Sequence, residues 1–423
     1  MASILDNSFL KNVLKLSSGT SLAHIITIVI SPVLTRLYSA NDFGELQLFQ
    51  SLLIVASLLT TGCYHFMIIH PELKDDAIAL MKGVWFISNS SSLLLLLTGL
   101  VLKIFTPWLN SVTLTLIILF PLTLVLNNLI LIGDYWFLRL QGYKTLSFSK
   151  ITRSSSTAIT QIGLFYSMLQ SGLVLGLVAG RFFTFLYYLK SFGKNLIISF
   201  SKIKTQKVLN QMKKYKAQPI QVLPSSLLSM GSTELVVFLL AALFGDISLG
   251  FYALAYRVLS VPSAFLGSSV GEVFYQKANE LIQNKLSVNT LLYKTWLGLA
   301  CVSIIPSILL FLFGENILSF VFGTEWITAG TVAELLAPLI FVNFISAPTG
   351  KLLMALGEQK VMPALSFCIV ISRVSGLMIG YFSSGFLMGI LLMVVFHIAS
   401  LLLYNIVLVF KVRKYQKQLT DSL

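Results

Sequence analysis

Acidic side chains are scarce in this 423-residue chain. There are 16 Asp and Glu against 30 Lys and Arg, and charged residues of both signs make up only 11%. A soluble domain carries about a quarter charged residues, so a water-facing globular fold is excluded. Cysteine is scarcer still. Cys63, Cys301 and Cys368 each sit in an apolar stretch and form no Cys-x-x-Cys pair, which leaves no disulfide framework and no thiolate metal site. His24, His65, His70 and His397 are scattered without His-x-x-x-His spacing, so no metal or other cofactor is expected. The chain also lacks a nucleotide-binding loop. Gly193-Lys194 and Gly350-Lys351 need a glycine five positions earlier, and those positions hold Tyr188 and Ile345. An ATP-driven motor is excluded by that absence.

What the chain has in abundance is hydrocarbon: 56% hydrophobic residues and a mean hydropathy of +0.86. Apolar runs of about 20 residues recur along the whole length, as bilayer-spanning helices require. The expected fold is an all-α polytopic membrane protein with twelve transmembrane helices, at roughly 11–35, 44–69, 78–102, 113–138, 146–169, 171–189, 218–243, 249–275, 290–313, 327–355, 360–382 and 386–410. The first run lacks a short apolar core followed by a small-residue cleavage site and is expected to be retained.

The formal charge of +14 is not a nucleic-acid footprint. With the N-terminus in the cytoplasm, 25 of the 30 Lys and Arg fall at inner ends and loops, which is the positive-inside pattern and places both termini in the cytoplasm. Arg36 and Lys103 lie at outer ends, and Arg181, Arg257 and Arg373 fall within spans. A lipid-surface role is a secondary reading for the Lys-rich sixth loop.

The chain repeats itself at half its length. "SPVLTRLYSANDFGELQLFQ" (31–50) and "VFLLAALFGDISLGFYALAY" (237–256) align without a gap at an offset of 206 residues, which matches Leu37 with Leu243, Tyr38 with Phe244, Gly44 with Gly250 and Leu48 with Leu254. Six spans precede a basic segment and six follow it. The expected organisation is therefore an N-terminal six-helix lobe (1–189), a basic cytoplasmic linker (190–217), and a C-terminal six-helix lobe with a short tail (218–423). Two even halves give a parallel repeat about an axis along the membrane normal, and alternating access through a pathway between the halves is the expectation.

Polar residues inside spans should face that pathway, because lipid exposure is costly. "LSFSKITRSSSTAITQ" in the fifth span carries Ser149, Thr152, Arg153, Ser156, Thr160 and Gln161, and the eighth places Tyr252, Tyr256, Ser260 and Ser263 on one stripe beside Arg257. For any single Ser or Thr, close helix packing is the competing explanation. Arg153, Arg181, Arg257 and Arg373 each need a reason to sit at depth. One is structural pairing with Asp134, Glu234, Glu272 or Glu334, the reading favoured for Arg373. The other is a phosphate-bearing ligand, for which a guanidinium fork is suited. The expected substrate-binding set is Arg153, Arg181, Arg257, Arg373, Tyr256 and Ser260, with Asp134, Glu234 and Glu334 as ion-coupling candidates. Outer loops are short, the longest near 314–326, which argues for transport over catalysis.

"SPVLTRLYSANDFGELQLFQSLLIVASLLTTGCY" resembles the first hairpin of Wzx-type polysaccharide repeat-unit flippases, members of the multidrug/oligosaccharidyl-lipid/polysaccharide exporter superfamily. The resemblance rests on Arg36-Leu37 and on the acidic-aromatic-glycine turn Asp42-Phe43-Gly44. "LGFYALAYRVLSVP" (249–262) resembles the corresponding Gly-x-Tyr segment with its following Arg. The resemblance implies a non-enzymatic flippase of the bacterial inner membrane that carries undecaprenyl-diphosphate-linked oligosaccharide for O-antigen or capsule synthesis. It also implies membrane lipid, a polysaccharide polymerase and a chain-length regulator as partners, and no nucleic acid. A cation-coupled small-molecule exporter of the same superfamily and a polysaccharide polymerase are the alternatives. The lack of spans after 410 speaks against a peptidoglycan-precursor flippase.

Overall fold

Backbone that crosses hydrocarbon must satisfy its own N–H and C=O groups, and a single segment can do so only as a helix. The computed structural model describes residues 7–105, 114–166, 171–383 and 385–421. In chain order the helices are α1 (Asn7–Leu37), α2 (Ala40–Thr61), α3 (Lys74–Phe105), α4 (Leu114–Arg139), α5 (Tyr143–Phe165), α6 (Gly172–Lys202), α7 (Thr205–Lys214), α8 (Ala217–Ser229), α9 (Gly231–Gln283), α10 (Asn289–Phe322), α11 (Ile327–Ser346), α12 (Leu352–Ala355), α13 (Met362–Ser383) and α14 (Phe386–Asp421).

Ten helical stretches among the described residues are long and apolar enough to cross a membrane. One of them, Pro219–Ser260, counts twice, because Gly245 (φ 78°, ψ 172°) breaks α9 within it. The membrane-length α5 falls short on hydropathy because of its Ser, Thr, Arg and Gln, yet it packs along both α1 and α6. The architecture is thus the twelve-helix, two-lobe arrangement expected of the sequence.

Three boundaries differ from the sequence reading. α2 stops at Thr61, where Gly62 (φ 53°) and Cys63 (φ 58°) turn the backbone left-handed into a short 3₁₀ turn, Tyr64–Ile69. The stretch near 314–326 is mostly helix rather than an outer loop, since α10 continues past a break at Phe313 to Phe322. Residues 190–217 hold the end of α6, all of α7 and the first residue of α8.

The chain divides into two compact units, Met1–Tyr38 with Leu48–Glu234, and Ser39–Gln47 with Leu235–Leu423. In the first, small residues let helices approach closely. A Cβ on Gly19 would collide with Ser147, one on Gly176 with Gln161, and one on Gly180 with Thr157. Much of the polar content of α5 therefore serves packing. An aromatic core follows, in which Phe137 stacks on Tyr188 (5.4 Å) and Phe192 (5.6 Å). The amphipathic α7 docks on α3, with Val208 and Met212 against Gly83, Lys207 paired to Asp76 (2.9 Å), and Lys82 donating to the Ile203 carbonyl (2.8 Å).

In the second unit the two repeated hinges meet each other. A Cβ on Gly44 would overlap the Asp246 carbonyl oxygen, and one on Gly250 would overlap the Ala40 carbonyl oxygen. Asp246 is Ala40 advanced by 206 positions, and Gly250 is Gly44 advanced by the same amount. The contact is therefore reciprocal, as a two-fold relation between repeats requires. α13 and α14 form a tight hairpin in which Gly376 faces Met393 and Gly380 faces Gly389.

Candidate functional site

The first unit holds a polar network strung across α2, α3, α4, α5 and α6. Arg181 on α6 donates from Nε to Asn127 Oδ1 (3.1 Å), and Asn127 Nδ2 donates to Ser57 Oγ (2.8 Å). One residue on, Asn128 donates to Thr60 (2.9 Å) and Ser88 (2.7 Å). These bonds hold Arg181 by a neutral amide, so its charge is not neutralised. Nearby, Tyr188 hydrogen-bonds both Asp134 and Ser149 (2.8 Å to the latter), and Ser149 Oγ donates to the Leu146 carbonyl (2.8 Å). Lys150 donates to Thr20 (2.7 Å). Arg153 lies within electrostatic range of Asp134, Lys150 and Arg181. Two cations, Arg153 and Lys150, therefore act on one carboxylate, and Arg181 adds a third positive charge beside Arg153.

A tyrosine hydroxyl has one proton to donate. Because Ser149 spends its own on Leu146, a Tyr188 bond to Ser149 requires Asp134 to supply the proton between Asp134 and Tyr188. When Asp134 is ionised, Tyr188 donates to it instead.

The second unit positions its arginines differently. The Arg257 guanidinium lies over the Phe43 ring, 5.7 Å from its centroid, within cation–π range. Phe43 is itself only 1% exposed and packs edge-on against Trp326 (5.0 Å), which also meets Phe251 (5.9 Å). Tyr252 and Tyr256 stack at 5.7 Å, and Ser260 donates back to the Arg257 carbonyl (3.2 Å). Arg373 on α13 reaches His397 on α14, with ring-nitrogen distances of 3.4 and 3.3 Å. A neutral imidazole has one acceptor nitrogen, so one of these is the bond. Arg373 is also within electrostatic range of Tyr252 and Tyr256.

The structure thus brings Arg153, Arg181 and Asp134 together in one unit, and Arg257, Tyr256, Ser260 and Arg373 into the other. Arg181 and Arg257 form no ion pair with an acid among the described residues. The acids weighed as partners are engaged elsewhere. Asp134 meets Tyr188, Glu234 accepts from Ser51, and Glu334 accepts the Glu315 backbone N–H (3.0 Å) freed at the break in α10. The side chains of Glu272 and Ser263 lie outside the described residues. No cluster of three or more metal-capable side chains occurs among the described residues.

His397, Asn127 and Phe43 are the partners that sequence reasoning missed. His397 had a readable signal. It lies twelve positions after Gly385 and Arg373 twelve before it, so an antiparallel hairpin turning there sets them at one depth. Outside the spans, His65 sits buried between Ala40–Thr61 and Lys74–Lys103, with Nδ1 2.9 Å from Thr61 Oγ1. Burial lowers its pKa to about 4.

Residues 33–331 match the family described as polysaccharide biosynthesis protein, and the chain belongs to that family. No curated protein matches the sequence. Among solved structures, it is similar to an inward-facing multidrug resistance MATE family transporter of the MOP superfamily. The TM-score is 0.70 at 12% identity, over 95% of this chain and 96% of that one. It is similar also to a MOP superfamily transporter from Pyrococcus furiosus (TM-score 0.62, 11% identity, 96% of both chains). A third is the lipid II flippase MurJ in an inward closed conformation (TM-score 0.57, 15% identity, 98% of this chain and 90% of that one). At these identities the likeness establishes the fold alone, that of a multi-pass helical membrane protein.

Proposed function

We propose that this member of the polysaccharide biosynthesis family is a flippase rather than an enzyme. It moves undecaprenyl-diphosphate-linked oligosaccharide repeat units across the bacterial inner membrane for O-antigen or capsule synthesis, with both termini in the cytoplasm. The observation that carries the reading is the excess of positive charge in the first unit, where Lys150 and Arg153 act on the carboxylate of Asp134 and Arg181 lies within range of Arg153 without an ion pair to an acid among the described residues. Like charges held together at membrane depth are costly, and a diphosphate bearing two negative charges relieves that cost. Guanidinium groups bind phosphate oxygens through paired, charge-assisted hydrogen bonds.

No covalent step is needed. In the first unit Arg181, oriented by Asn127, and Arg153 would contact the diphosphate; the second unit by itself offers Arg257, held over Phe43, and Arg373 as cationic groups for an anion. Tyr256 and Ser260 would receive sugar hydroxyls. Asp134 is the coupling residue this geometry favours. Its protonation releases Lys150 and Arg153 to the headgroup and reverses the donor direction at Tyr188. Glu234 and Glu334 are less suited, since each already accepts a bond from Ser51 or from the α10 backbone.

Deleting the gene should abolish surface polysaccharide while lipid-linked repeat units accumulate on the cytoplasmic face. Normal surface polymer in a strain with no substitute transporter would remove the assignment. Chain lengthening by the purified protein would favour a polymerase instead, and export of a small cation with no effect on polysaccharide would favour a drug exporter.

A further inference from the structure

A second apolar feature lies in the first unit, away from the arginine network. A cavity of about 230 Å³ is walled by α3, α4 and α6, with Met81, Trp85, Ile132, Leu189, Phe192 and Phe200 among its lining. It exists because α6 breaks at Gly193 (φ 70°, ψ 159°), so that Leu189 and Phe192 contribute before the break and Phe200 after it. A β-branched or other side chain at Gly193 would be strained in that left-handed conformation. The cavity is not sealed, since Trp85 and Leu189 are each 39% exposed and Phe86 beside Trp85 is 65% exposed. In a membrane protein those exposed faces meet hydrocarbon. A dry apolar void loses the contacts its lining could make, so a void open to lipid is filled by a lipid chain.

The helices that wall the cavity carry exposed or partly exposed lysines close in sequence to its lining residues. Lys82, one turn from Trp85, lies 5.9 Å from the Phe200 ring centroid and donates to the Ile203 carbonyl. Lys190 and Lys194 flank the break in α6 and are both exposed. Basic pockets between transmembrane helices suit lipids with anionic headgroups, and a zwitterionic lipid lacks the net charge these lysines would recognise. We propose that this cavity is a binding site for an anionic phospholipid. One acyl chain lies against Trp85, Phe192 and Phe200, and the phosphate sits among Lys82, Lys190 and Lys194. The bound lipid braces α6 at its break, and this is a site separate from the one that would hold the transported headgroup.

Trp85 makes the proposal measurable. The full chain is reconstituted in vesicles containing phosphatidylglycerol or phosphatidylcholine with the same brominated acyl chains, and Trp85 emission is isolated by subtracting the Trp85→Phe variant. Brominated phosphatidylglycerol should quench Trp85 at least twofold more than brominated phosphatidylcholine at equal mole fraction. The double variant Lys190→Gln, Lys194→Gln, on exposed positions, should bring the two lipids level. Leu129→Phe, which fills the cavity, should reduce quenching by phosphatidylglycerol. Equal quenching by the two lipids in the unaltered protein would overturn the proposal. So would relief of quenching by undecaprenyl phosphate at a far lower mole fraction than by unbrominated phosphatidylglycerol, which would assign the cavity to the carrier lipid.

Discussion

Arg181 in the first unit and Arg257 in the second are the same residue type at membrane depth, yet the protein holds them by different means. Arg181 is fixed by a directional bond to the Asn127 amide, itself anchored to Ser57, beside Arg153, which is in turn within range of Lys150 and the titratable Asp134. Arg257 rests on the face of Phe43, a ring clamped by Trp326. Insertion of an arginine at mid-helix costs about 2.5–3.5 kcal/mol, and an acid partner would lower that cost. Neither arginine has one among the described residues. Partners that orient a guanidinium without neutralising it leave its charge available to an anion. The difference between the units is one of responsiveness: the first can change its charge through Asp134, whereas the cation–π contact of the second is fixed.

The largest expected effect breaks the second unit's arrangement. Gly44→Val places a branched side chain where even a Cβ overlaps the Asp246 carbonyl, and it displaces the neighbouring Phe43 from beneath Arg257. Folded yield from the membrane should fall several-fold, and Gly250→Val should do the same because the contact is reciprocal. If either variant were made at normal level with normal thermal stability, the hinge contact would be wrong.

Next is Asn127→Leu, which removes the amide that orients Arg181 and leaves Ser57 without its donor. Lost bonds of this kind typically cost about 1–3 kcal/mol, so the detergent-solubilised protein should melt lower by several degrees and transport should drop. Asn127→Asp should retain the fold but neutralise Arg181, so transport falls while stability does not. Normal transport by the Asn127→Asp variant would show that Arg181 needs only a partner and not a free charge.

A smaller effect separates the units by pH. His65, buried in the first unit outside the spans, has its pKa lowered from 6.5 to about 4. Its neutral form is therefore favoured in the folded state, so its contribution to stability is full above pH 6.5 and is lost as pH falls toward 4. Melting measured between pH 7 and pH 5 should show a loss on the order of 1–2 kcal/mol, and His65→Phe should flatten it. An unchanged slope in the variant would assign the acid sensitivity elsewhere.

The smallest effect sharpens the cation–π contact. Phe43→Leu keeps the volume and loses the ring, costing about 0.5–2 kcal/mol, and Phe43→Trp should restore transport more fully than Leu. Identical transport by the Leu and Trp variants would reduce Phe43 to a packing residue.

Much of this was legible before any coordinates. Twelve spans follow from apolar run length, and the match of Gly44 with Gly250 follows from the repeat, but that the two glycines meet each other's hinge is visible only in the fold. What escaped the sequence is where partners come from across helices. For Arg373 opposite charge points to an acid, the strongest rule a sequence offers; its bond to His397 is revealed only by the register of the α13–α14 hairpin. Glu334 stands as a coupling candidate because a carboxylate within an apolar run is costly. Its actual partner is a backbone N–H at a helix break that nothing in "LFLFGENIL" announces. Phe43 was read only as part of a turn, since a ring's partner is invisible until the chain folds.

The central claim is that cations kept free of acids at membrane depth bind the diphosphate of the cargo. It is tested most directly by measuring translocation of an undecaprenyl-diphosphate-linked saccharide in proteoliposomes by the Arg181→Ala, Arg257→Ala double variant. The account predicts at least a tenfold loss of transport with normal insertion and yield, and partial recovery by the corresponding double Lys variant. Full activity of the double Ala variant would contradict it.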